Sequence, residues 1–357
     1  MGDDPDGPDR SPVAGPVVSV VVVAHGRKAF LLGAVRSVRS QGGLPAGAVE
    51  ILVVKDFADR GIDDALDREG VGHLETEEGP LGSKIALGVA RTRAPLVAFL
   101  EDDDEFVPGR LRRVVDLFER DPDLGYYRNG QRRIDAEGRD LPAAAYGAAH
   151  HHLQSAGPRR IAAAELPRAL PWLRRTDPDF NLSSMVVRRE VLVGLRPSLR
   201  GREAAIDSSV FYAALSRRVA LWIDPEPLTR YRVHGTNVSL WAGTTGSALA
   251  DRQAYLERFL ASFGQILHEV DRTGPDAARQ LAGSTYFGSR ILYRVLSGAG
   301  GRAALVGDLR RLVGYPKAAP FTVRPDIPAW GIAALLSPQL ARAAFRQRRT
   351  RESRTAQ

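Results

Sequence analysis

Seven consecutive residues, Val17 to Val23, comprise six valines and one serine. A strand that is apolar on both faces cannot lie half in water, so it belongs inside a parallel sheet covered on both sides. His25-Gly26 then supplies a turn, and Leu31, Leu32, Val35 and Val38 recur at helical spacing through about Gln41. Gly42-Gly43 stops that helix. Glu50 to Val54 reads as a second strand, Asp63 to Arg68 as a short helix and Val71 to Leu74 as a third strand. Leu81 to Arg91 reads as a helix, and Pro95 introduces a fourth strand, Leu96 to Leu100. This alternation predicts βαβ units with right-handed crossovers, an α/β fold around a mostly parallel sheet.

Pro108 restarts a helix through Arg120. Beyond it the pattern is less regular. A hairpin is expected at Tyr126 to Ile134, a loop at His150-His151-His152 and a helix near Ala162 to Leu173. Strands are expected at Ser183 to Val187, Val219 to Ile223 and Leu228 to Val233, and a helix at Ser208 to Arg217. After Leu249 the chain reads as helical. The expected organisation is a disordered stretch over 1–16 without a signal-peptide core, a catalytic domain over 17–240 and a helical C-terminal region over 241–357 with a basic tail. The domain divides into a first half (17–120) and a second half (121–240).

In open α/β sheets ligands bind beyond the carboxyl ends of the strands. Ala24-His25, Lys55-Asp56 and the run Glu101-Asp102-Asp103-Asp104 all fall at such ends. A nucleoside diphosphate leaves poorly unless its charge is neutralised, and carboxylates with phosphates and water can hold a divalent cation for that purpose. Glu101 and Asp103, two residues apart, can project to one side, sharing a metal and a ribose. Asp102 and Asp104 would support them or cap the helix after Pro108. With no cysteine in the chain, thiol nucleophiles, zinc–thiolate sites and disulfides are excluded.

Four segments, Val18 to Arg27, Glu50 to Asp56, Val97 to Pro108 and Tyr231 to Ser239, together resemble family 2 of the glycosyltransferases, inverting enzymes of the GT-A fold. That fold is Rossmann-like with a mostly parallel sheet. The family includes dolichyl-phosphate-sugar synthases and polysaccharide transferases. The resemblance implies a nucleotide-diphosphate sugar as donor and Mn2+ or Mg2+ as cofactor. It puts Glu101 and Asp103 in the places of the two acids of the metal motif, with Asp103 the first choice as metal ligand. His234 falls where some members supply an imidazole to the same metal. The base that inversion requires corresponds to Asp207, at a helix start after the acceptor loop, with Glu203 in reserve. Taken alone, Asp207 also reads as a helix N-cap. Asn181 to Met185 would line the acceptor side.

The chain departs from the family at the nucleotide. Val23, Ala24, His25 and Gly26 replace the usual first-loop residues, and Lys55-Asp56 replaces an acidic pair whose first member contacts the base. Either Asp56 takes over that contact or Lys55 reads another base. Arg27 and Asp102 join Ala24 and His25 at the expected nucleotide site, and Lys84 is the nearest cation for a phosphate. Two alternatives stand beside the transferase: a non-catalytic nucleotide-sugar-binding relative, prompted by these replacements, and a nucleotidyltransferase, for which Ala24 to Arg27 is not the usual glycine-rich loop.

The net charge of +8 piles up late, in Arg342, Arg346, Arg348, Arg349, Arg351 and Arg354. No basic–aromatic interleaving points to nucleic acid. The stretch Ile327 to Phe345, broken by Pro328, Pro338 and Arg342, is a poor spanning helix. It is expected to pack partly in the core or at an interface. A glycan or lipid-linked acceptor, a cytoplasmic location and peripheral membrane association follow as expectations.

Overall fold

The structure is a computed structural model and describes residues 15–142, 148–234, 246–315, 326–341 and 343–344. The stretch 1–14, most of the basic tail and the end of the fourth family segment lie outside the described residues.

Four parallel strands build the first half: β1 (Val18–Ala24), β2 (Val49–Lys55), β3 (Gly72–Glu75) and β4 (Leu96–Glu101), in the order β3-β2-β1-β4. Helices α1 (Lys28–Arg39), α2 (Arg60–Arg68) and α3 (Leu81–Arg91) join them, and α4 (Arg110–Arg120) follows a short strand β5 (Glu105–Phe106). Side chains of β1 alternate between two layers. Val18, Val20 and Val22 face α1 and α4 through Leu31, Val35, Leu111 and Val114, while Val21 and Val23 join Ile85 and Val89 of α3 on the other face. Each valine so buried contributes about 1.5–3 kcal/mol, so the double-sided run fixes the sheet's place. A Cβ on Gly88 would lie 2.3 Å from Val21 Cγ1, which lets α3 approach β1 as only a glycine can.

The second half continues the same sheet with β6 (Leu124–Ile134), β7 (Arg159–Ile161), β8 (Met185–Arg188) and β9 (Ala220–Arg232). Strand β8 runs antiparallel to both β4 and β6, and β6 pairs β9 in parallel. The two reversals restore direction, so β1, β2, β4 and β9 all end on one edge. Two expectations are corrected here. Tyr126 to Ile134 is no hairpin but part of one eleven-residue strand, and the two late strands are one thirteen-residue strand. The reason is shared: register shifts between Asn129 and Gln131 sit opposite the Asp224–Pro227 bend of β9. A Cβ on Gly130 would lie 2.3 Å from Pro225 O. The glycine permits a close strand approach rather than a turn.

The histidine run is also corrected, because it lies in α5 (Ala148–Ala156), not in a loop. Neighbouring alanines favour helix, and period alone gives no sign of it. Half-buried His150 has its pKa lowered to about 4, by burial and then by His151. Helices α6 (Leu166–Thr176), α7 (Arg189–Val193), α8 (Arg196–Leu199) and α9 (Ile206–Arg217) cover the second half of the sheet. The C-terminal helices α10 (Gly246–Thr273), α11 (Asp276–Ser297), α12 (Gly301–Gly314) and α13 (Asp326–Leu336) pack on this layer. Phe263 and Ile291 share one continuous core with Val21 and Phe211.

Candidate active site

The acidic run closes β4 as a turn clamped on every side. Asp102 N donates to Val23 O at 3.0 Å, and Arg232 Nε donates to Asp103 O at 2.8 Å. Ser183 Oγ accepts from Glu101 N at 3.0 Å. Beneath it the buried Arg110 donates to Ser183 O at 3.1 Å and to Asn129 Oδ1 at 2.8 Å. Burial lowers the Arg110 pKa to about 10.

Each acid has its own setting. Asp102 accepts from His25 N at 2.9 Å and pairs with Arg27 at 2.8 Å. Burial nevertheless raises its pKa to about 6. Asp103 Oδ2 pairs with Arg27 Nη1 and stands 2.9 Å from His234 Nε2. Arg27 keeps a raised pKa because Asp103 and Asp102 outweigh the burial that would lower it. Asp104 accepts from Arg232 N at 3.0 Å and from Asn181 Nδ2 at 2.9 Å. Burial and Asp103 raise it to about 7. Burial, then Asp103 and Asp104, holds Glu101 well above the usual carboxylate range. The helix-cap role considered for Asp102 and Asp104 is corrected: the N-cap of α4 is Gly109, with no side-chain cap, and both acids face the turn.

At the nucleotide edge, Asp56 Oδ2 accepts from Lys84 Nζ at 2.6 Å and contacts His25 Nδ1. Burial opposes these bonds, but they hold the Asp56 pKa below the usual range. Lys84 is fully buried. Lys55 is buried as well, and its ammonium turns inward to Phe57 O at 2.7 Å, Asp63 at 3.1 Å and Glu75 at 3.4 Å. Of the pair ending β2, Asp56 therefore keeps the accessible carboxylate. Ala24 is buried in the ladder opposite Lys55.

Across the cleft, Asp207 is second in α9, whose N-cap is Ala205 in the left-handed region at φ 56°. Asp207 accepts from Asn181 N at 3.3 Å and Ser208 N at 2.8 Å. Burial, then the nearby Asp179, raises its pKa to about 7. Ser208 Oγ donates to Asp179 at 2.7 Å. Glu203 is exposed. Asn181, itself at φ 66°, joins the two sides. Its main chain donates to Asp207 while its side chain donates to Asp104 at 2.9 Å and Glu101 at 3.4 Å. Sequence reasoning placed Asn181 near the acceptor but assigned no role to Arg232 or Asp179. Their contacts join residues far apart in the chain, which no local period reveals.

Among the described residues no three His, Asp or Glu side chains converge to hold a cation alone. Asp103 and His234 are the nearest to such a set, and phosphates and water would have to complete an octahedral shell around a cation held there. The 2.9 Å between Asp103 Oδ2 and His234 Nε2 is that of a hydrogen bond, and Arg27 pairs with the same oxygen.

The mixed α/β sheet, with acids at one edge and helices appended at the C-terminus, has the GT-A fold. Residues 19–193 match the family model described as "Glycosyl transferase family 2". Solved structures of TarS from S. aureus, residues 1–349, share the fold. One is 14% identical with a TM-score of 0.58, covering 92% of this chain and 91% of that chain. The complex with UDP-GlcNAc is 12% identical with a TM-score of 0.56 and the same coverage. The complex with UDP is 13% identical with a TM-score of 0.53, again at 92% and 91% coverage. A search of curated proteins finds no match.

Proposed function

We propose that this glycosyltransferase moves a sugar with inversion from a nucleoside-diphosphate sugar to an acceptor hydroxyl, with Asp207 as the base. The observation carrying this reading is Asn181, which ties the base candidate to the donor-side acids through a single residue. The acceptor oxygen attacks the anomeric carbon from the face opposite the diphosphate. Its proton passes to the Asp207 carboxylate as the carbon–oxygen bond forms. The bond from the anomeric carbon to the phosphate oxygen breaks, and the nucleoside diphosphate leaves with the electron pair. Asp207 must be ionised for this, so turnover falls as pH drops below its pKa of about 7.

Asp103 and His234 would hold Mn2+ or Mg2+, whose charge would offset that of the diphosphate. Arg27 would contribute a second cation, and Asp56 would accept from the base. The TarS complexes support UDP-GlcNAc as the first donor to test.

The decisive experiment is Asp207→Asn, assayed for sugar transfer and nucleotide-sugar binding, with the product anomer assigned by NMR for the native chain. Transfer is expected to fall about 10²–10⁴-fold with donor affinity kept, and the product to be inverted. Undiminished turnover in the variant, or a retained anomer, would overturn the proposal.

A further inference from the structure

The charge of this chain is divided unevenly. Residues 301–357 hold eleven Arg and Lys against three Asp and Glu, an excess equal to the whole net charge of +8, so residues 1–300 are neutral in sum. Within that basic segment, Ile327 to Ala341 contains no charged residue.

Helix α13, apart from its first residue Asp326, and the helical residues 338–341 after it lie in this uncharged stretch. Its inner side follows ordinary packing, with Ile327, Ala334 and Ala341 in the core and Trp330, Ala333 and Leu335 against it. Its outer side does not. A helix on a water-exposed surface carries polar residues there, whereas the outward positions here include Ala329, Ile332, Leu336 and Leu340. The three large ones, spaced four apart, are 54%, 78% and 71% exposed. On the neighbouring α12, Arg302, Arg310 and Arg311 are exposed beside Val313, itself 63% exposed. The single acid of α12, Asp308, is buried between Arg290 and Arg294. The exposed charge of α12 is therefore entirely positive.

We propose that α13 lies flat on an anionic phospholipid surface, with Ile332, Leu336 and Leu340 entering the acyl boundary and the arginines around them meeting lipid phosphates. Stable interfacial anchoring needs two signals, apolar insertion and basic attraction, and both are present side by side. The all-positive exposed charge of α12 beside an apolar stripe is complementary to an anionic bilayer. The helix rests on the surface rather than crossing it, since no helix among the described residues is long and apolar enough to span a membrane. This surface stands independently of the transferase proposal.

The test is co-sedimentation of the full chain with vesicles of phosphatidylcholine alone or mixed with phosphatidylglycerol, at low and high salt. Binding is expected on mixed vesicles only, weakening as salt screens the arginines. The triple variant Ile332→Asp, Leu336→Asp, Leu340→Asp should lose binding at least tenfold, with its melting temperature unchanged because all three side chains face outward. Arg310→Ala with Arg311→Ala should lose about fivefold per arginine. Equal binding by the native chain and the triple variant would overturn the proposal, as would no binding to mixed vesicles. So would a concentration-dependent dimer that the triple variant abolishes, which would assign the stripe to a second copy of the chain.

Discussion

The two walls of the cleft hold their carboxylates by different means. On the donor wall Asp102 and Asp103 sit against Arg27, and Asp103 also meets His234. On the acceptor wall Asp207 has hydrogen bonds only from main-chain N–H groups, with another acid, Asp179, close by. The first arrangement sets cationic side chains against its acids, although burial still raises Asp102 to about 6. The second surrounds Asp207 with main-chain donors and a second acid, and burial raises it to about 7. One wall balances its acids with side-chain cations, and the other solvates its acid with main-chain N–H groups.

The largest test of this contrast is again at Asp207. Its folded pKa of about 7 lies above the ordinary value of 3.8. Its stabilising contribution is therefore complete below the ordinary value and is lost as pH rises through about 7. Asp207→Asn should accordingly melt above the native chain at pH 8 and level with it near pH 4, while turnover collapses. An unchanged melting difference across that range would remove the distinction between the walls. Next in size, His234→Ala should weaken Mn2+-dependent turnover about 10–100-fold, read by titrating the metal back after chelation. A variant with native metal dependence would separate His234 from the donor wall.

Asn181→Ala removes the side-chain bonds to Glu101 and Asp104 while leaving the main-chain donor to Asp207. Turnover is expected to fall about tenfold, the scale of hydrogen bonds to charged groups. Native turnover would show that the walls are positioned independently. The smallest effect is expected at Lys55. Because its ammonium is committed to Asp63 and Glu75, Lys55→Met should change donor affinity less than about threefold, against about tenfold for Asp56→Ala. Calorimetric titration with nucleotide sugar ranks the two, and the reverse order would return base reading to Lys55.

The donor wall was the more legible in sequence for a physical reason. Strands β1 and β4 are buried on both faces and the helices between strands carry apolar stripes, so periodicity alone places β1 to β4 and puts Glu101 to Asp104 at a strand end. Leu81–Arg91 is helical as expected. The family resemblance added Asp207 and His234, which no period marks. Beyond α4 the sequence misleads where distant contacts decide. Tyr126 to Ile134 reads as a hairpin, and the histidine run of α5 offers no apolar stripe. The link through Asn181 depends on a left-handed backbone that brings residues about eighty positions apart together.

Gly130 pairs with Pro227 in the β6–β9 ladder and abuts the carbonyl of Pro225, with no room for a side chain at the glycine. Neither position is free to drift by itself. An alanine at 130 would push the Pro225 carbonyl away, and displacing that part of β9 would disturb the strand that leads to Arg232 and His234 at the acidic turn. Relatives that keep this sheet should therefore inherit the two residues as one character or replace both together. A mismatched pair would mark a lineage in which the far end of β9 no longer reaches the cleft.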